Sequence, residues 1–204
     1  MPIVQQITVK KGVILNWQIT ETVDELEVLC GKAGIMIKNV QQHEMRKKQQ
    51  MITMLLHKQL HPRLELNYAS SGKPYINDAI HVSISHSGEF VTLMSSEIAC
   101  GIDIEKISAK VIRIRHKFLN DTELSREETH DSVVLTKYWS AKEAMYKVHG
   151  SEHAFLRNNI FVEDSTSDVW KLVYQENQVL ARRVVKFQVT NNMVLAWTEE
   201  DEQE

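Results

Sequence analysis

Apolar and polar residues alternate through Ile7 and Val9 and again through Val13, Leu15, Trp17 and Ile19, on either side of Lys11-Gly12. That pattern predicts a β-hairpin. Thr22-Val23-Asp24-Glu25 has the form of a capping box and predicts a short helix through Leu26 and Leu29, stopping near Gly31. From Val40 to Leu60 the apolar residues Met51, Ile52, Leu55, Leu56 and Leu60 fall at helical spacing, and Pro62 ends the run. Ser70-Ser71-Gly72-Lys73-Pro74 predicts a turn. Val82 and Ile84 then alternate with Ser83 and Ser85 as a strand, Ser87-Gly88 turns, and Phe90, Val91 and Leu93 begin the return strand.

Alternation is most regular at Ile98, Cys100, Ile102 and Ile104, which interleave with Ala99, Gly101, Asp103 and Glu105. A strand with that period places Asp103 and Glu105 together on one face, with Gly101 before them leaving room for close approach. Phe118-Leu119 followed by Asn120 or Asp121 reads as an apolar anchor and a helix cap. A helix from about Ser132 to His149 follows, with Gly150 as its stop. The remainder predicts strands at Ile160–Glu163, Val169–Tyr174, Val184–Val189 and Met193–Trp197, with Asn191-Asn192 as a tight turn between the last two. The order of elements predicts an α+β fold of two similar halves, residues 1–99 and 100–204.

Composition changes this picture little. The 204 residues are 43% hydrophobic and 25% charged, with a formal net charge of -3, so no global positive field points to nucleic acid. No apolar run approaches the length of a membrane span. The start, MPIVQQITVKKG, is too short and polar for a signal peptide, and Cys30 and Cys100 match no metal or redox spacing. A cytoplasmic protein with reduced thiols is expected. The acidic end, Glu199-Glu200-Asp201-Glu202-Gln203-Glu204, reads as a frayed, solvated tail.

The candidate chemistry lies in Trp139-Ser140-Ala141-Lys142-Glu143-Ala144-Met145-Tyr146-Lys147. Trp139, Glu143 and Lys147 share one helix face, where Glu143 and Lys147 could simply form a surface ion pair. Asp103 and Glu105 could likewise be a solvated strand face. Taken together, Asp103, Glu105 and Glu143 are three hard oxygen donors of the kind that holds Mg²⁺, and Lys147 could neutralise a phosphate bound to it. Two basic clusters accompany them. Arg46, Lys47 and Lys48, with His43 and His57, lie on the second helix; Arg113, Arg115, His116 and Lys117 follow the acidic strand. Each is either a solvated face or an anion site.

Gly101-Ile102-Asp103-Ile104-Glu105, followed about 35 residues later by Trp139-Ser140-Ala141-Lys142-Glu143-Ala144-Met145-Tyr146-Lys147, resembles the paired signature of the 4′-phosphopantetheinyl transferase superfamily. Phe118-Leu119 with Glu123-Leu124 is similar to the segment between them. Gly72-Lys73-Pro74 and Ser85-His86-Ser87 resemble two upstream motifs of the long, surfactin-synthetase-type branch. The resemblance implies a monomeric pseudo-dimer related by a pseudo-twofold axis. It implies transfer of 4′-phosphopantetheine from coenzyme A to a serine of an apo acyl or peptidyl carrier protein, with release of adenosine 3′,5′-bisphosphate.

On this chain, the resemblance makes Asp103, Glu105 and Glu143 the ligands of Mg²⁺, or of Mn²⁺ in its place. Glu143 is then also the base for the carrier serine, and Lys147 holds the diphosphate. Lys73 and Pro74 would border the adenine; Ser85 and His86 would face the nucleotide phosphates, with His86 on the 3′-phosphate. One departure is that Met54 stands where the family carries an arginine, with Gln49 where an acid is common; Arg46 and Lys47 are expected to supply the cations instead. Arg113, Arg115 and Lys117 would steer an acidic carrier. Two other readings use the same residues: a degenerate member that binds coenzyme A or a carrier without turnover, and an unrelated Mg²⁺-dependent phosphohydrolase.

Overall fold

The first hairpin forms as its alternation predicts. Strand β1 (Ile3–Val9) pairs antiparallel with β2 (Gly12–Gln18), Val9 opposite Gly12, and Lys10-Lys11 makes the turn. The computed structural model describes residues 3–36, 43–77, 79–126, 130–149, 154–165, 168–190 and 192–201. The chain divides into two compact units, residues 1–99 and 100–204. Each unit sets helices against an antiparallel sheet, an α+β arrangement.

In the first unit the expected capping box is present. The Glu25 amide donates to Thr22 Oγ1, the Thr22 amide donates to the Glu25 carboxylate, and α1 runs Val23–Lys32. Helix α2 spans Glu44–Leu60; the expected earlier start at Val40 lies outside the described residues. The turn before Pro74 closes a small hairpin, β3 (Asn67–Tyr68) with β4 (Pro74–Tyr75), in which Gly72 takes a left-handed φ of 83°. Strands β5 (His81–Ser87) and β6 (Phe90–Ser96) pair across Gly88-Glu89. The sheet order is β1-β2-β6-β5. Its core joins Leu15 and Trp17 of β2 and Val91 and Leu93 of β6 to Leu26 of α1 and Met51, Ile52 and Leu56 of α2.

The second unit contains β7 (Ile102–Lys106), α3 (Lys110–Ile114), a 3₁₀ turn (Arg115–Lys117), α4 (Asp121–Leu124), α5 (Ser132–His149) and α6 (Leu156–Asn159). Four strands follow: β8 (Ile160–Asp164), β9 (Val169–Glu176), β10 (Val179–Thr190) and β11 (Met193–Glu199). The sheet order is β7-β11-β10-β9-β8. Tyr138, Ala141 and Met145 of α5 pack on Trp170, Leu172, Val185 and Ala196 of this sheet. Strands β8, β9 and β11 run one or two residues further than expected, and two strands begin elsewhere. Strand β7 begins at Ile102 rather than Ile98, and β10 begins five residues earlier than Val184 because Val179–Arg183 pair with the tail of β9 across a turn at Asn177, φ 53°. The expected helix stop Gly150, the turn residue Asn191 and the tail residues 202–204 lie outside the described residues; Asn192 is described, with φ 66°. Among the described residues, no helix is long and apolar enough to cross a membrane.

Two features fix where α5 lies. The first is a buried ion pair between Lys142 and Glu123, whose side chains are 0% and 2% exposed. Lys142 Nζ donates to Glu123 Oε2 at 2.7 Å, to the Phe118 carbonyl at 2.8 Å and to the Leu156 carbonyl at 3.3 Å. All three of its N–H donors are therefore used. Burial pushes the Lys142 ammonium below its usual pKa, against the opposing charge of Glu123. Glu123 also accepts from the Asn120 and Val162 amides, the first as half of a capping box on α4. The second feature is Gly101. A Cβ there would lie 1.9 Å from the Ala144 carbonyl oxygen. The room that Gly101 leaves is filled by the backbone of α5, so it serves helix–strand packing rather than a ligand.

Both features predict a loss on substitution. Lys142→Met strands the Glu123 carboxylate in the core and should cost about 3–5 kcal/mol in urea unfolding. Gly101→Ala must push α5 off β7 and should cost about 2 kcal/mol or more in the same assay. Unchanged midpoints would show that neither contact seats the helix.

Candidate active site

Period two on β7 and period 3.6 on α5 bring two ladders of side chains together. Asp103 and Glu105 stand on the face of β7 that meets the helix; Trp139, Glu143 and Lys147 stand on one face of α5. The contacts run in opposite chain directions. Trp139 Nε1 donates to Glu105 Oε1 at 3.3 Å, while Lys147 Nζ donates to Asp103 Oδ1 at 2.9 Å and to the Ile102 carbonyl at 2.8 Å. Trp139 is further held edge-on by Phe118, with ring centroids 5.2 Å apart, so it seats the helix on the acidic strand. Lys147 differs from expectation: its ammonium rests on Asp103 rather than on Glu143 or open to an anion.

Glu143 lies between these two contacts. Among the described residues, no hydrogen bond or ion pair holds its carboxylate. Burial raises its pKa to about 7, and the charges of Asp103 and Glu105 push the same way against the opposing pull of Lys147. Three carboxylates thus share one field with Lys147 as the cation on Asp103. As a donor set this suits a hard divalent cation: the ligands are all carboxylate oxygens, and their mutual repulsion is relieved by added positive charge. In the present arrangement they do not close on one point; among the described residues, no three His, Cys, Asp or Glu side chains are placed to hold a metal ion.

The first unit has its own cavity, about 800 Å³, lined along α2 by His43, Arg46, Gln49, Gln50 and Thr53 and across from it by Tyr68, Gly72, Pro74, Ile84 and His86. Arg46, Pro74 and His86 of the expected set meet here; Lys73 lies between two lining residues. Two expected residues do not. Lys47 is drawn to Glu27 of α1 at 2.6 Å, just as Lys48 pairs with Glu44 at 3.1 Å. Ser85 is buried on the other face of β5, because neighbouring strand residues point oppositely and Ile84 and His86 take the cavity side.

Gln49, at a position where an acid is common in the resembled family, donates from Nε2 to the Gly88 carbonyl at 2.9 Å and ties α2 to the β5–β6 turn. A carboxylate could not make that bond. Tyr68, Gln50 and Thr53 carry no signal in the basic cluster that names His43 and Arg46; the i, i+4, i+7 spacing of Arg46, Gln50 and Thr53 is the available one. A smaller groove of about 150 Å³ in the second unit is lined by Glu105, Lys106, Val111, Ile114 and Trp139 among others. Arg113 and Lys117, on α3 and the 3₁₀ turn, are exposed; Arg115 is half-buried and caps the Ile112 carbonyl.

Comparison with known proteins bears on this geometry directly. Residues 99–195 match the family model described as the 4′-phosphopantetheinyl transferase superfamily. This is the superfamily that the two motifs resemble. The match takes in β7, α5 and every residue of the carboxylate cluster. The chain is also similar to the 4′-phosphopantetheinyl transferase gsp of Aneurinibacillus migulanus, 29% identical over 111 residues, which are 52% of this chain and 46% of that protein. It is 38% identical over 85 residues to the 4′-phosphopantetheinyl transferase Sfp of Bacillus subtilis strain 168, and 36% identical over 85 residues to a 4′-phosphopantetheinyl transferase of Bacillus subtilis; each alignment takes 39% of this chain and 38% of the relative. The chain thus spans less than half the length of each of these curated relatives.

The raised Glu143 pKa makes a signed prediction for stability in the absence of divalent metal. The folded pKa of about 7 lies above the ordinary glutamate value of 4.5, so the folded protein binds this proton more tightly than the unfolded chain. The resulting stability is complete below the unfolded pKa and is lost as pH rises through about 7. In EDTA, wild type should lose roughly 2 kcal/mol more than Glu143→Gln between pH 5 and pH 8 in urea unfolding. Parallel profiles would show that Glu143 is not in the crowded field described.

Proposed function

We propose that this chain transfers 4′-phosphopantetheine from coenzyme A to the serine hydroxyl of an apo acyl or peptidyl carrier protein, releasing adenosine 3′,5′-bisphosphate. The observation that carries the reading is the α5–β7 ladder, in which Asp103, Glu105, Glu143 and Lys147 share one charged cluster inside the segment matched to the superfamily. The reading includes a monomer of the long branch, with its two units as a pseudo-twofold pair. A cytoplasmic setting suits the two buried thiols, Cys30 and Cys100.

Asp103, Glu105 and Glu143 would hold Mg²⁺, or Mn²⁺ in its place, which when bound polarises the diphosphate and offsets charge on the leaving group. The remaining work falls to side chains of this chain. Glu143, with a pKa near 7, is suited to accept the proton of the attacking serine, directly or through a water. The Lys147 ammonium stabilises negative charge on the phosphate as the bond to the leaving nucleotide breaks. Arg46 and His86 face one cavity and would receive phosphate groups, while Pro74 and the exposed Tyr68 offer flat surfaces for adenine. Lys73 would border the same base. Arg113, Arg115 and Lys117, close in sequence to Val111 and Ile114 of the small groove, would steer an acidic carrier.

The test is a mass measurement. Protein, Mg²⁺, coenzyme A and an apo carrier should yield a carrier heavier by one phosphopantetheine. Glu143→Gln should abolish the gain without lowering the unfolding midpoint at pH 7. Arg46→Ala should raise the KM for coenzyme A by tenfold or so with kcat little changed. Coenzyme A binding with no mass gain across several carriers would replace this reading by binding without turnover. Release of nucleotide or phosphate without a carrier would replace it by hydrolysis.

A further inference from the structure

The pairing of Lys147 with Asp103 has a thermodynamic consequence. Asp103 is 4% exposed, and the ammonium on its Oδ1 is anchored a second time by the Ile102 carbonyl. Glu105 is held in a comparable way by the Trp139 indole. With these donors in place, no three acidic, His or Cys side chains among the described residues are set to hold a metal ion. The Lys147 side chain is 26% exposed, so its four-carbon stem has a route outward without unpacking α5.

We propose that Lys147 is a resident counter-ion of Asp103, exchanged when the site loads, so that divalent metal and a diphosphate-bearing ligand bind as a coupled pair. The inference rests on the functional reading above. The exchange conserves ion pairs: the Lys147–Asp103 pair becomes a Lys147–phosphate pair, and Asp103 turns to the incoming cation. Metal arriving alone must displace the ammonium or sit beside it with like charge. A diphosphate arriving alone meets three carboxylates. Each ligand therefore improves the other's affinity by the same factor. Lys147 is then the residue that sets the size of that coupling.

Binding of Mn²⁺ to the full chain, read from the electron paramagnetic resonance signal of free Mn²⁺ and corrected for Mn²⁺ bound by coenzyme A itself, tests this without turnover. Wild type should bind Mn²⁺ about tenfold more tightly with coenzyme A than without it. Lys147→Met should bind Mn²⁺ alone about tenfold more tightly than wild type does, and coenzyme A should add little further. Lys147→Gln keeps a donor for the Ile102 carbonyl and should behave alike; agreement of the two variants rules out the glutamine amide as a new ligand. Equal wild-type affinity with and without coenzyme A would overturn the proposal and leave the transferase reading standing. So would Lys147→Met binding Mn²⁺ alone no more tightly than wild type. Absence of any Mn²⁺ binding to wild type in the presence of coenzyme A would overturn the metal assignment itself, and this proposal with it.

Discussion

The second unit depends on one buried charge. Lys142 reaches inward from the middle of α5 and finds three acceptors on three different segments: the Phe118 carbonyl, Glu123 and the Leu156 carbonyl. A lysine can be buried in this way only when every donor is met and an opposite charge faces it. The pair contributes less to net stability than to register, because no rotated or shifted α5 would satisfy the same three acceptors. Once Lys142 points inward, the next residue is turned about 100° around the helix. That rotation carries Glu143 out of the core and toward β7. A residue buried away from the carboxylate cluster thus decides where Glu143 stands.

Much of this was legible in the chain. The two hairpins follow from alternation, although their turns fall at Lys10-Lys11 and Gly88-Glu89, one residue from the expected Lys11-Gly12 and Ser87-Gly88, and the caps at Thr22 and Asn120 follow from their glutamates three residues on. The shared face of Asp103 and Glu105, and that of Trp139, Glu143 and Lys147, follow from period alone. Other features lie beyond a linear pattern. Ile98 and Cys100 keep the alternation of β7 but not its ladder; the Gly101 amide instead donates to the Thr198 hydroxyl. Ala181, Arg182 and Arg183 break the alternation of β10, yet pairing with β9 holds them extended. Ser85 and His86 are adjacent in one motif, whereas the pleat sends them to opposite faces. Lys47 belongs to a basic run in sequence, yet it pairs with Glu27, twenty residues away. Each of these depends on a contact distant in sequence, which neither period nor composition encodes.

The two units handle charge in opposite ways. In the first, neighbouring acids take Lys47 and Lys48, and Arg46 and His86 line a cavity with no carboxylate among its described lining residues. Such a surface favours anions without assembling a dense positive field. In the second, three carboxylates crowd together with Lys147 bound to one of them, and the cost appears as the displaced pKa of Glu143. Added positive charge would relieve the second cluster, and added negative charge would suit the first.

Trp139 gives the second unit a built-in optical reporter. Its indole N–H rests on Glu105, and Phe118 holds its ring edge-on. The emission of an indole responds to charge placed along its long axis, so anything that draws electron density from Glu105 changes the colour of that one fluorophore. Trp17 and Trp197 rest their indole N–H groups on other carboxylates, Glu21 and Glu199, and Trp170 packs edge-on against Tyr138 and Phe187. The protein's own ultraviolet fluorescence therefore carries a record of the electrostatic state of its acidic strand, with no label attached.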